Sequence, residues 1–239
     1  LVHHGATDAP AVDVVETGAG AGTIVANASY GDFAPYLELA TADYVLQVRA
    51  AGASSAVAAF DAPLATLGLQ GAALTVVASG FLDPSANSNG PAFGLFAAPA
   101  TGGAMVALPA SKSRLQAIHN SADAAAATVD VYLNGDLLID DFDFRTASPF
   151  IDAPAEVDIQ LVIAPPTSTS IADSIAVFNY NLTSGATYIL VAEGIVSATG
   201  YSPATPFGIN VYGMAREEAS ISGNTDVLVH HGATDAPAV

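Results

Sequence analysis

The sequence has no cysteine and no tryptophan, two methionines and a single lysine, Lys112. Without cysteine there is no disulfide framework and no thiolate metal site, and this absence is compatible with either redox compartment. Lys and Arg together number 5 against 23 Asp and Glu, a formal net charge of −18. That balance builds no basic footprint for nucleic acid, and an anionic membrane surface repels it. No run of 18 apolar residues occurs, so no segment is expected to insert in a membrane as a helix. There is no G-x-S-x-G elbow, H-E-x-x-H, phosphate-binding loop or dinucleotide fingerprint, and no enzymatic activity is expected. The first residue is Leu, with no signal peptide ahead of it, so the chain reads as a mature or excised segment.

What is present is apolar and repetitive. Hydrophobic residues make up 51% and charged residues 12%, a composition that supports packed cores and not disorder. Residues 1–12 read LVHHGATDAPAV, and residues 228–239 read the same, an offset of 227 (228 minus 1). Twelve identical residues with a His-His pair predict a tandem array with a 227-residue period, an artificial overlap of the two ends being the alternative. A weaker repeat lies inside the period. DAPAVDV at 8–14 corresponds to DAAAATVDV at 123–131, and GAALTVVASG at 71–80 to GATYILVAEG at 185–194. The aromatic–Pro–aromatic block at 30–36 parallels the one at 142–150.

Alternating or β-branched runs predict strands at 12–15, 23–26, 44–49, 57–60, 74–78, 93–97 and 105–108, then at 115–119, 129–133, 158–163, 175–179, 188–192 and 208–214. Asn134-Gly135 predicts a tight hairpin turn. About seven short strands per half read as two immunoglobulin-like antiparallel β-sandwich domains in tandem, part of a longer repeat array. The expected boundaries are 1–112 and 113–226, with 227–239 as the first strand of the next repeat. The Ala-rich stretch 50–67 has room for a helical turn, which Gly52 and Pro63 keep short.

The ordered blocks VHHGATDAPAVDV (2–14), YGDFAPYLEL (30–39) and GAALTVVASG (71–80), repeated as IHNSADAAAATVDVYLNG (118–135), SPFIDAP (148–154) and GATYILVAEG (185–194), carry a resemblance. The chain resembles the secreted domain-of-unknown-function family 4397, in two tandem copies per repeat. The second copy departs by losing the Pro of DAPAVDV and inserting two residues. The first lacks the Asn-Gly hairpin and has Gly18-Ala19-Gly20-Ala21-Gly22 instead. The resemblance implies a sandwich on an exported or cell-surface protein and no catalytic residues.

The candidate residues divide between structural and sharper roles. Neighbouring strand residues face opposite sides, so His3-His4 and His230-His231 cannot chelate one ion as pairs, and one His is expected to bond near the first loop. Asp8, Asp13, Asp123 and Asp130 are expected to hold turns by accepting backbone N–H groups, with calcium as the rival role. Asp136, Asp140, Asp141 and Asp143 form the densest acidic cluster. It is either a solvated hairpin face or a calcium site between domains, calcium being the one cofactor entertained. Tyr30, Phe33 and Tyr36 read as core or loop-packing residues.

These features predict a structural subunit or repeat of an extracellular filament or cell-surface fibre, in a bacterium or archaeon. Its partners are neighbouring identical repeats or subunits. Leu1, Val2, His3, His4 and their copies Leu228, Val229, His230, His231 are the expected inter-repeat strand. The plain alternative is that each first strand belongs to its own following domain. The alternative function is an adhesin stalk or a carbohydrate- or ligand-binding module.

Overall fold

The computed structural model describes residues 1–238 and is nearly all β. It divides into two compact units, Leu1–Ser111 with Pro154–Val157, and Lys112–Ala153 with Asp158–Val239. The copy of the first twelve residues ends in Val239, which lies outside the described residues.

The first unit contains β1 (Val2–His4), β2 (Val12–Glu16), β3 (Gly22–Ala28), β4 (Phe33–Ala34), β5 (Asp43–Ala50), β6 (Ala56–Pro63), β7 (Leu74–Ser79), β8 (Gly94–Pro99) and β9 (Val106–Ala107). One sheet has the order β4-β1-β7-β8-β9 and the other β3-β2-β5-β6. Period-2 alternation puts Val12 and Val14 of β2 and Tyr44, Leu46 and Val48 of β5 on one face. That face packs with Val25, Phe60, Ala62, Ala78 and Leu95 into one core, a β-sandwich.

The second unit follows the same plan with β10 (Lys112–His119), β11 (Thr128–Leu133), β12 (Asp136–Asp143), β13 (Ile151–Pro154), β14 (Asp158–Ala164), β15 (Ala176–Asn181), β16 (Thr187–Glu193) and β17 (Gly208–Tyr212). Its sheets run β13-β10-β16-β17 and β12-β11-β14-β15, strand for strand the order of the first unit without β9. Asn134 and Gly135 both take positive φ, 52° and 93°, the geometry a two-residue β11–β12 hairpin needs.

In both units the first strand is paired parallel, β1 with β7 and β10 with β16. No local hairpin can deliver such a strand. Val2 sits opposite Val76, so the pairing of β1 with β7 closes most of the unit's chain into one loop. A strand joined solely by sequence-distant contacts is the most separable element of the sandwich.

Several expectations change. In the Ala-rich stretch the strand expected at 57–60 forms, longer, as β6 (Ala56–Pro63), because alternation supplies Phe60 and Ala62 to the core, and this span holds no helical turn. Among the described residues the only helical turns are 3₁₀ turns at Ala124–Ala126 and Ile171–Asp173. β12 is not among the strands that alternation predicts: a bulge at Asp141, φ 51°, shifts the register and breaks the period of two. The described part of the C-terminal copy, expected to be a strand at Leu228–His231, is irregular, and Val227 and Val229 are 76% and 84% exposed. Strand structure in this sequence comes from its neighbours β4 and β7. In the second unit the corresponding place beside β16 is held by β10.

Leu115 of β10 is 2% exposed and closes the second unit's core. Leu115→Ala is expected to cost about 2–5 kcal/mol, read as a lower midpoint in urea unfolding; a loss below about 1 kcal/mol would contradict this packing.

Candidate functional site

The residues that the repeated blocks share converge at one end of each unit, around the loop that follows the first strand. His119 is fully buried at the end of β10. Its Nε2 donates to Ala126 O at 2.7 Å, and its Nδ1 accepts from Ser121 N at 3.3 Å. Bonding a carbonyl requires the proton on Nε2, so the ring is neutral and both nitrogens are committed. Burial pushes its pKa down. His4 in the first unit donates likewise from Nε2 to Pro10 O at 3.0 Å. The His thus pins the loop that follows it, and no nitrogen of His119 is left to bind a metal or take a proton.

Four residues after each His comes a carboxylate with a longer reach. Asp123 is 1% exposed and accepts from Ala125 N, Val196 N, Ser197 N, Ser197 Oγ and Tyr201 OH at 2.6–3.0 Å. Burial alone would raise its pKa; these bonds outweigh burial and hold the carboxyl far below the usual carboxylate range. Asp8 accepts from Leu82 N and Asp83 N, both at 3.0 Å, and from Asn87 Nδ2 at 3.2 Å. Its pKa is lowered, chiefly by the Asp83 N–H. Each Asp therefore ties the first loop to the loop after the parallel partner strand, β7 or β16. It does more than hold its own turn.

Glycine starts that second loop in both units. Gly80 has φ +89° and Gly194 φ +88°, and a Cβ there would lie 2.2 Å from Ala92 O or 2.3 Å from Pro206 O. No side chain fits, which accounts for the Gly that closes both GAALTVVASG and GATYILVAEG.

The second Asp of the block holds the bulge. Asp13 accepts from Asn27 N at 2.7 Å and Gly52 N at 2.9 Å, and Asp130 from Asp141 N at 3.1 Å and Ser168 Oγ at 2.5 Å. Asn27 and Asp141 both have left-handed φ, 50° and 51°. Glu16, buried and not singled out in the sequence, accepts from Ala19 N and Ala21 N at 2.8 Å, so the glycine-alanine loop wraps its carboxylate. Burial opposes its ionisation, yet these N–H groups lower its pKa overall.

Of the four acidic residues proposed for calcium, the fold brings Asp140 and Asp141 together and adds Asp130, with carboxylate oxygens within 4.8 Å of one another. Asp136 and Asp143 stand at opposite ends of β12, about 23 Å apart on an extended strand, so the four form no common site. Asp140 and Asp141 are exposed, while Asp130 is buried and both its oxygens accept hydrogen bonds.

His3 faces away from His4, bonds Asp32 O through Nδ1 at 3.0 Å, and stacks on Phe33 at 4.2 Å. Tyr30, Phe33 and Tyr36 are not core residues: they are 59%, 63% and 65% exposed, Phe33 on the two-residue edge strand β4 and Tyr30 and Tyr36 in the loops on either side of it. In the C-terminal copy His231 Nε2 still bonds Pro237 O at 3.1 Å, while His230 Nε2 contacts Glu193 Oε2 at 2.7 Å.

The depressed carboxyls set a pH dependence. A group whose folded pKa lies below its unfolded value stabilises the fold at neutral pH and loses that contribution as pH falls. His119, from an ordinary value of 6.5, adds a shallow loss below that pH; Glu16 and Asp123, from 4.5 and 3.8, add a steep one below about 4.5. Asp123→Asn is expected to cost about 3 kcal/mol at pH 7 and to flatten the acid limb of a melting-temperature profile. An unchanged acid limb would remove Asp123 from this role.

A search of curated proteins returns no relative of the chain. One family profile matches, described as a domain of unknown function (DUF4397), over residues 1–127. The match takes in the first His–Asp–Asp loop and the His119–Asp123 pair of the second unit, and the chain belongs to this family.

Proposed function

We propose that the chain is a repeating unit of an extracellular filament or cell-surface fibre of a bacterium or archaeon. Each period carries two copies of the family domain, and consecutive periods are joined through the first strand. One observation carries this reading: residues 1–12 recur without change at 228–239, and the two units between them share one strand order. The second copy repeats the sequence of β1, which is a strand where β4 and β7 accept it. Main-chain pairing to a neighbour would satisfy it and cover its apolar side chains. The charge of −18 keeps an apolar-rich chain soluble, and any joining of like-charged copies has to come from main-chain and apolar contacts. Among the described residues no helix is long and apolar enough to cross a membrane.

The second reading, an adhesin stalk or a carbohydrate- or ligand-binding module, is favoured by the exposed aromatics Tyr30, Phe33 and Tyr36 beside β4. Stacking on such rings is a usual way to hold a sugar face.

The two readings separate on assembly. Full chain and a variant lacking residues 228–239 are compared by light scattering over a range of concentrations and by negative-stain microscopy. The full chain is expected to form end-to-end multimers, and the truncated one single particles of unchanged melting temperature. Equal behaviour of the two would contradict strand joining and favour the binding module.

A further inference from the structure

The two units share strand order, so the second shows which outward residues of the first the fold itself requires. Pairing of His3 with Phe33 and Val77, and of Val77 with Phe96, lines up Phe33, His3, Val77 and Phe96 across β4, β1, β7 and β8. Their chain neighbours Val2, Ala34, Val76, Ala78 and Leu95 pack in the core, so alternation turns this row to the outer face of the sheet. The same row in the second unit is Ala147, Ile118, Val191 and Asn210. The sandwich forms there with no ring at any of the three ring positions.

The neighbouring outward row differs as sharply. Gly31 N bonds His4 O, Gly5 N bonds Ala78 O, and Ser79 lies opposite Gly94, so the row is Gly31, Gly5, Ser79 and Gly94. In the second unit it is Arg145, Asn120, Glu193 and Gly208, by the same bonds from Arg145 N to His119 O and Asn120 N to Ala192 O. Those side chains fill the row and satisfy one another locally. Asn120 Nδ2 donates to Gly232 O at 3.0 Å, and Glu193 accepts from Asn210 Nδ2 and meets His230 Nε2 at 2.7 Å. In the first unit the row is almost bare backbone, a trough beside three rings. Neither of its two rows contains Asp, Glu, Lys or Arg.

The groups around this trough are held in place. His3 donates from Nδ1 to Asp32 O at 3.0 Å and stacks on Phe33 at 4.2 Å. With the proton on Nδ1, Nε2 is left as an acceptor, and it faces Gly5, where a Cβ would lie 3.5 Å from it. A Cβ on Gly94 would lie 3.0 Å from Phe96 Cε2, so the Phe96 ring lies over Gly94 and ends the trough. Among the described residues Ser79 Oγ has no hydrogen-bond partner. Ring surfaces, one acceptor, one hydroxyl and no charge suit a pyranose, whose C–H face packs on a ring while its hydroxyls bond at the rim. An extended peptide would need an open sheet edge, and β1 and β7 are paired on both sides. The chain's charge of −18 repels a polyanion, which leaves a neutral sugar. From His3 to Phe96 is two strand spacings, about 10 Å, so the ligand is longer than one sugar ring.

We propose that this trough on the first unit, between the Phe33–His3 stack and Phe96, binds a neutral saccharide chain. The inference rests on the binding-module reading given above and deepens it by naming the site and the ligand class. It is independent of the array.

The test is isothermal titration of the full chain with neutral hexasaccharides of glucose, mannose and N-acetylglucosamine, and with hexagalacturonate as the acidic control. At least one neutral sugar is expected to bind, and more tightly than the acidic one. Phe33→Ser, and Ser79→Glu, which places the second unit's residue in the trough, are each expected to weaken binding about tenfold or more at an unchanged melting temperature. Phe33→Tyr keeps the ring and is expected to keep the affinity. Tyr36→Ser, outside the row, is expected to leave it unchanged. Binding that survives both Phe33→Ser and Ser79→Glu would overturn this site and leave the binding-module reading standing. Absence of binding to all three neutral sugars would overturn both. Self-association of the full chain that Phe33→Ser abolishes, without sugar binding, would make the occupant a second copy and likewise overturn the proposal.

Discussion

The parallel pairing of the first strand with β7, or of β10 with β16, is the contact on which each sandwich depends. Hairpins can bring in β2 with β3, β5 with β6, and β7 with β8, since each is a neighbour in sequence. The first strand has no such route. It is held by ladder bonds to a partner more than seventy residues away and by the carboxylate four residues after its His. β1 lies between β4 and β7, and β10 between β13 and β16. Asp8 and Asp123 tie the loops that follow them to the loops after β7 and β16, and Gly80 and Gly194 give those loops the conformation that meets them. The buried His supplies the local half of the same clasp. Its bond to the carbonyl six or seven residues on closes the loop without any distant partner.

The duplicated end segment separates local from distant contributions within one molecule. His231 makes the same bond to Pro237 that His4 makes to Pro10, so the loop closes wherever the sequence occurs. The strand ahead of it does not form at both ends, because strand structure belongs to the sheet that accepts it. In the array proposed above, a segment with a self-organising loop and a context-dependent strand is suited to be passed from one repeat to the next. It needs no refolding of the loop, only an open edge of the right register.

Much of the fold is legible in the residues. Period-2 alternation locates β2, β5, β7, β11, β14 and β16, Asn134-Gly135 locates a hairpin, and the recurring blocks bring the family resemblance. The bulged β12 is not legible, since Asp140-Asp141 breaks the alternation there, nor is β13, whose existence depends on β10 beside it. For the clasp, the residues are visible but their partners are not: Asp123 to Ser197 and Tyr201 spans more than seventy residues, and nothing near either end of the sequence announces the other. Glu16 escapes notice for the same reason, one acid among 23 until the loop is seen to wrap it. The exposed aromatics mislead because an aromatic–Pro–aromatic block looks the same in a core and on an edge strand of two residues.

Amide hydrogen exchange on the full chain, followed by peptides from residues 1–11 and 220–232, tests the account most directly, since it reads one sequence in two settings. In dilute solution the amides of Val2–His4 are expected to exchange slowly and those of Val229–His231 at nearly unprotected rates, with protection spreading to the second set as the chain assembles. Assemblies in which Val229–His231 remain unprotected, or dilute chains in which the two copies exchange alike, would contradict a strand passed between repeats.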